Sequence, residues 1–174
     1  MLGTLRAHGL DARGLDLVNA DVTGDVADAL AVAKAVEGCR SLAFQPMPWP
    51  FGGSVLHTAG LHAPNLDYYS AEEFERVNVE GTRRLLEACR PISAPLVFSS
   101  TTSLMHTRAV KEAASKGTVV LRASEDYGTP RNIYGVTKKR AEELCRAAGR
   151  VAILRCSRFF AEDMNACRRS LHVL

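Results

Sequence analysis

The five cysteines of this 174-residue chain (Cys39, Cys89, Cys145, Cys156 and Cys167) are odd in number, and no two are spaced as Cys-x-x-Cys. That argues against a disulfide framework or a zinc site, and for free thiols in a reducing compartment. Charge of one sign is also scarce: 22 Lys and Arg stand against 19 Asp and Glu, a net +3. The basic residues are scattered, and Arg168-Arg169 is too short to form a patch, so nothing points to nucleic acid. No apolar run approaches a membrane span, and "MLGTLRAHGLDARG" holds no apolar stretch of signal-peptide length, which makes a cytoplasmic protein the expectation. Nothing repeats at a fixed period, and no segment is of low complexity. What remains is ordinary for a globular protein: 47% hydrophobic and 24% charged residues, with enough chain for one cored domain.

Four short apolar runs read as buried strands: "DARGLDL" (11–17), "SVLHTAG" (54–60), "PLVFSST" (95–101) and "VAILRCS" (151–157). Their near-continuous apolarity predicts strands covered on both faces, as in a parallel sheet. "TVVLRAS" (118–124) is a fifth candidate strand or a loop edge. Helical stretches lie between them. One spans 24–38, begins near Thr23 and stops at Gly38. A second spans 70–90 and opens with the capping-box spacing of Ser70 and Glu73. A third spans 132–149, stops at Gly149, and has an apolar stripe of Ile133, Val136, Ala141, Leu144 and Ala148. Alternating strands and helices predict an α/β, doubly wound parallel sheet. Two segments stand apart: "RSLAFQPMPWPFGG" (40–53) reads as an inserted loop in a domain spanning 1–165, and 166–174 reads as a tail.

The chemistry gathers in "IYGVTKKRAEE" (133–143), where Tyr134 precedes Lys138 by four positions. On a helix such residues share a face, about 6 Å apart along the axis. An unperturbed phenol titrates near about pH 10, so acting as a base at neutral pH requires a fall of roughly 3 units, about 4 kcal/mol. A neighbouring ammonium supplies part of that, and the phenol then exchanges a proton with a substrate alcohol. Taken alone, the spacing fits a solvent-facing polar pair better. Its surroundings change the balance. Thr101 ends the strand "PLVFSS", where α/β folds place ligands, although "SSTTS" also suits a helix cap. Ala59 and Gly60 end another strand with small residues that let a ligand approach the backbone. Asp16 ends the first strand, where an acid can hold a ribose 2′-hydroxyl or simply cap a turn. His57 and His62, five apart with no acid or thiol set around them, are weak candidates for a metal.

In order, "GLDL", "ADVTGD", "VLHTAG", "NVEGTRRLLEAC", "VFSSTTS", "YGVTK" and "AILR" resemble the extended short-chain dehydrogenase/reductases, the NAD-dependent epimerase/dehydratase family, over residues 11–158. The resemblance implies a Rossmann-like fold and an NAD(P)-dependent oxidoreductase, epimerase or dehydratase. Its substrate would be a small sugar-nucleotide- or sterol-like molecule, acted on at a hydroxyl or keto group. It makes Tyr134 the acid/base, Lys138 the group that lowers its pKa and holds the nicotinamide ribose, and Thr101 the substrate-contacting hydroxyl. Asp16 would hold the adenosine ribose and favour NAD over NADP; Asp21 and Val22 would meet adenine. Thr58, Ala59, Gly60 and Leu61 would line the cofactor, and Asn78 would lie beneath the site, bonding backbone or ligand. By position, His62, Asn65 and Tyr68 face the substrate. The resemblance also implies a homodimer through the helices at 70–90 and 132–149.

The departures from the family pattern are equally specific. The glycine-rich turn Gly-x-x-Gly-x-x-Gly, whose backbone binds pyrophosphate, has no match, because Gly3, Gly9 and Gly14 are wrongly spaced. The expectation is an incomplete sheet lacking the first strand and its turn, in a chain truncated at both ends. The match fades after "LRCSRFFAED", and Cys156 stands where the family often has proline. A second reading follows from these departures: a non-catalytic Rossmann-like fragment acting as a binding or interaction module.

Overall fold

The computed structural model describes residues 2–42, 54–105 and 128–157, with Glu112, Ser115, Gly117, Val120 and Arg122 between. Five strands run through it, β1 (Leu15–Asp16), β2 (Val22–Thr23), β3 (Val55–His57), β4 (Leu96–Thr101) and β5 (Val151–Cys156). The helices are α1 (Leu2–Ala7), α2 (Ala29–Leu42), α3 (Ala71–Glu75), α4 (Gly81–Cys89) and α5 (Ile133–Ala148). Every strand pairing among the described residues is parallel. β1 pairs β2, and β3, β4 and β5 form a second sheet in that order, with His57 opposite Phe98 and Thr101 opposite Cys156. Among the described residues no ladder joins β1 to β3, so the doubly wound sheet is incomplete, in two pieces. Both pieces pack on one core: Val26, Val32, Val36, Leu85, Cys89, Leu96, Phe98, Ala141 and Cys145 form its centre, with Leu15 and Val55 against it.

The strands are barer than their apolar runs predict. Alternate residues of β3 and β5 face the core, whereas Leu56 and Leu154 between them are 42% and 51% exposed. Cover on both faces was the expectation; among the described residues α2, α4 and α5 pack on the shared core.

Local chemistry sets the helix ends. Asp28, not Thr23, starts α2, its carboxylate accepting from the Leu30 N–H at 2.8 Å, and the helix runs past Gly38 to Leu42. The Ser70 hydroxyl accepts from the Glu73 N–H, the expected cap of α3. From α3 the chain passes without a break into α4 through a wide π-helical turn, Arg76–Glu80. Such a turn leaves carbonyls poorly placed for the usual ladder, and the Thr82 hydroxyl donates to the carbonyl of Asn78 at 2.7 Å. Asn132 caps α5 by accepting from the Gly135 N–H at 2.9 Å, and Gly149, at φ +66°, ends it. α1 and β2 were not foreseen as elements. Of the loop expected at 40–53, residues 40–42 belong to α2 and the rest lies outside the described residues, as do the tail at 166–174 and most of the 118–124 run. No helix among the described residues is long and apolar enough to cross a membrane.

Candidate functional site

The face that α5 turns inward is its polar one. Tyr134, Thr137, Lys138, Ala141, Glu142 and Cys145 are buried, whereas Val136 and Leu144 of the expected apolar stripe are half-buried and Ala148 is exposed. Tyr134 is 7% and Lys138 2% exposed, so the two are not a solvent-facing pair. Tyr134 packs with Leu61 and Phe74, and the ring of His62 lies 6.1 Å from its own.

β4 meets this face with three consecutive residues. The Ser99 carbonyl accepts from the Lys138 ammonium at 2.9 Å. The Ser100 hydroxyl donates to the Glu142 carboxylate at 2.6 Å. Thr101 lies beside the Tyr134 phenol, and its hydroxyl donates to Ser103 Oγ and accepts from the Ser103 N–H, each at 3.1 Å. The expected Tyr134 and Lys138 thus lie on the face of α5 that meets β4, with Thr101 at that strand's carboxyl end.

Their electrostatics differ from the simplest expectation. Burial pushes the Tyr134 phenol above its ordinary value; the neighbouring Thr101 hydroxyl pulls it back in part, and Cys156 adds to the rise. Lys138 is turned to Ser99, and burial pulls its ammonium down to about 8 against the opposing influence of Cys145, Cys156 and Glu142.

The loop after β3 closes over Lys138. Asn78 holds it: its Oδ1 accepts from the Leu61 N–H at 2.7 Å, and its Nδ2 donates to the Leu61 carbonyl at 3.0 Å and to Thr137 Oγ1 at 3.1 Å. Of the two roles open to Asn78, bonding backbone is the one seen. Gly60 is required here by close approach, since a Cβ would come 2.8 Å from Asn78 Oδ1 and 3.4 Å from the Lys138 ammonium nitrogen. Thr58 and Ala59 are half-buried and Leu61 is buried beside them. Asn65 is occupied with the His62 N–H at 2.8 Å, and Tyr68 is exposed.

The residues expected at the adenosine end stand apart. Asp16 accepts from the neighbouring Leu17 N–H at 2.7 Å. Asp21 is occupied: Arg6 donates to both its oxygens at 2.7 Å and the Gly14 N–H to one at 2.8 Å, which holds its carboxyl below the usual range. Val22 is buried in β2.

His57 Nε2 is engaged within the protein. The Thr82 hydroxyl spends its proton on Asn78, so it accepts from His57 Nε2 at 2.9 Å, which puts the imidazole proton on that nitrogen. Among the described residues no three His, Cys, Asp or Glu side chains gather as a metal site. Sequence reasoning missed Glu142, Arg155 and the Ser99 carbonyl. Only Glu142 left a signal, its four-residue spacing from Lys138 on the same helix face.

The model of the NAD dependent epimerase/dehydratase family matches residues 53–173. An uncharacterized protein, 052L of Frog virus 3 (isolate Goorha), is 33% identical over 147 residues, covering 78% of this chain and 36% of the viral protein. Among solved structures, UDP-glucose 4-epimerase of Thermus thermophilus with NAD is 23% identical with a TM-score of 0.61, over 88% of this chain and 49% of its own. MoeE5 in complex with UDP-glucuronic acid and NAD gives 23% and 0.62, over 88% and 48%. The dTDP-4-dehydrorhamnose reductase of Bacillus anthracis str. Ames with NADP gives 17% and 0.65, over 97% and 54%. The chain thus spans about half the length of these structures and about a third of the viral relative. These structural likenesses carry the Rossmann-like fold, and the family model covers well over half of the residues. This chain belongs to the NAD-dependent epimerase/dehydratase family.

Proposed function

We propose that this chain carries the catalytic face of an NAD-dependent oxidoreductase of the epimerase/dehydratase kind. Its substrate would be a sugar-nucleotide-like molecule, acted on at a hydroxyl or keto carbon by Tyr134, Lys138 and Thr101. The observation that supports this best is the burial of Tyr134 and Lys138 on one face of α5 against the end of β4, with the Lys138 ammonium on the Ser99 carbonyl.

The residues on the nicotinamide side fit such a group. Gly60 leaves an approach that a Cβ would fill, beside the buried Lys138 ammonium. Lys138 would hold the ribose, with Thr58, Ala59, Gly60 and Leu61 along the cofactor. Asp16 would take the adenosine ribose and favour NAD over NADP. On the phosphate side the described residues offer no glycine-rich turn. Bound nicotinamide supplies the hydride chemistry. The rest falls to the chain. Burial keeps Tyr134 a neutral phenol, the form that gives a proton to a substrate oxygen. In the opposite direction the phenol takes a proton from the substrate hydroxyl, aided by positive charge from Lys138. Thr101 orients the reacting oxygen through its hydroxyl.

Nicotinamide fluorescence during titration of the chain with NADH tests this reading. Saturable micromolar binding is expected, with turnover lost in Tyr134→Phe; unchanged turnover in that variant would remove Tyr134 from the role. A folded chain that does not bind NADH favours the second reading, a non-catalytic interaction module. That reading draws on the unjoined sheets and the engaged Asp21. Pairing of two copies through α3, α4 and α5 is part of the proposal. A groove lined by Glu75, Val79, Arg83, Arg140, Glu143 and Leu144 runs along those helices, bridged by Arg140 and Glu75 at 2.8 Å. Sedimentation at increasing concentration checks it, a monomer throughout being the contrary result.

A further inference from the structure

Glu142 carries a full charge into the core and has no part in the proton transfer described above. It is 0% exposed, one helical turn beyond Lys138 and two beyond Tyr134. Four donors meet its two oxygens. The Ser100 hydroxyl and Arg155 Nε reach Oε1 at 2.6 and 2.9 Å, and Arg155 Nη2 and Arg146 Nη2 reach Oε2 at 2.7 and 2.6 Å. A carboxylate accepts about four such bonds, so the group is filled. The fork of Arg155 is bidentate, the geometry that fixes direction as well as distance.

A buried ion pair is a weak source of stability, because desolvation consumes most of its attraction. Its value lies in what it holds in register. Ser100 sits on β4 between Ser99, which accepts from Lys138, and Thr101, which lies beside the Tyr134 phenol. Arg155 precedes Cys156 on β5, opposite Thr101.

We propose that Glu142 is a positioning residue. By tying α5 to β4 through Ser100 and to β5 through Arg155, it sets Lys138 on the Ser99 carbonyl and Tyr134 against Thr101. It is also the buried carboxylate among the groups facing Lys138; the others are Cys145 on the same helix, Cys156 on β5, and His57 and His62 around the end of β3. The catalytic consequence rests on the proposed roles of Tyr134 and Lys138; the placement does not.

The test reads Lys138 itself, in the full isotopically labelled chain, by NMR titration of its Cε resonance. In Glu142→Gln the carboxylate charge is gone and the shape kept. The Lys138 midpoint is expected to fall by at least about half a unit, with the amide resonances of Ser99, Ser100 and Thr101 displaced. Ser100→Ala keeps Glu142 on both arginines and removes the β4 tie. It is expected to displace the Thr101 and Tyr134 resonances, and it carries the test if Glu142→Gln does not fold. A folded Glu142→Gln with an unmoved Lys138 midpoint would overturn the proposal, as would unmoved Thr101 and Tyr134 resonances in Ser100→Ala. Absence of NADH binding by the wild type would sink the enzymatic reading and leave these results standing.

Discussion

Lys138 and Ser99 are joined across the helix–strand boundary: the ammonium on α5 donates to the strand carbonyl at 2.9 Å, and the same nitrogen lies 4.7 Å from the centroid of the Phe98 ring. A carbonyl and a ring face replace bulk water poorly, which is why burial draws this ammonium down to about 8.

That shift gives a pH-dependent stability with a definite sign. The unfolded lysine titrates near 10.5 and the folded one near about 8, so the unfolded chain binds more protons between these values. Stability from this group therefore rises with pH across the window, by up to roughly 3 kcal/mol. Lys138→Met is expected to be more stable than wild type at pH 7, with the gap closing toward pH 10.5. Urea midpoints at three pH values measure it; a gap that stays constant would mean that the lysine titrates normally.

His57 acts at the acid end. Burial pushes its imidazole down to about 3 from the ordinary 6.5, with Lys138 adding to the fall. The unfolded chain binds the extra proton first, so stability from this group is full above about 6.5 and drains as pH falls toward 3. The loss runs at about 1.4 kcal/mol per pH unit. His57→Gln keeps a polar partner for Thr82 but no titration. Its acid unfolding, followed by circular dichroism, is expected at lower pH than that of the wild type. An identical or higher midpoint would contradict the assignment.

Asn78 serves both backbone groups of Leu61, so Asn78→Ala strands a buried N–H and a buried carbonyl together. A destabilisation of about 2–4 kcal/mol is expected from two unsatisfied groups. Gly60→Ala pushes a methyl against the same amide oxygen, and about 1–3 kcal/mol is expected from that overlap. Both are read from urea unfolding. Stability within about 0.5 kcal/mol of wild type in either variant would show that the loop relaxes freely.

Thr101 separates a hydroxyl from a methyl. If it orients the reacting oxygen, Thr101→Val is expected to lower kcat about 100-fold with NADH affinity intact. Thr101→Ser is expected to keep most of it. Equal losses in the two variants would point to packing instead.

The strand–helix order was legible because parallel strands and capped helices leave local marks. Ser70 and Gly149 delimit their helices by chemistry that needs no partner. The start of α2 was misplaced because Asp28, not Thr23, holds a free N–H of its first turn, that of Leu30. The stripe on α5 was misread for a different reason. Ile133, Val136 and Leu144 are more apolar than Tyr134, Lys138 and Glu142, and only packing against β4 and β5 makes the polar set the buried one. β2 is two residues long, too short to show a period.

The sequence by itself determined the alternation of elements, the four-residue spacing that puts Tyr134 and Lys138 on one helix face, and the hydroxyl at the end of β4. These follow from the pitch of a helix and the direction of a strand, which are properties of neighbouring residues. Tertiary structure alone decided that this face is buried, that Lys138 turns to Ser99, that Asp21 is taken by Arg6, and that Glu142 collects donors from two strands and its own helix. Desolvation and charge pairing depend on which distant segments displace water from a side chain, and no local stretch of sequence contains that information.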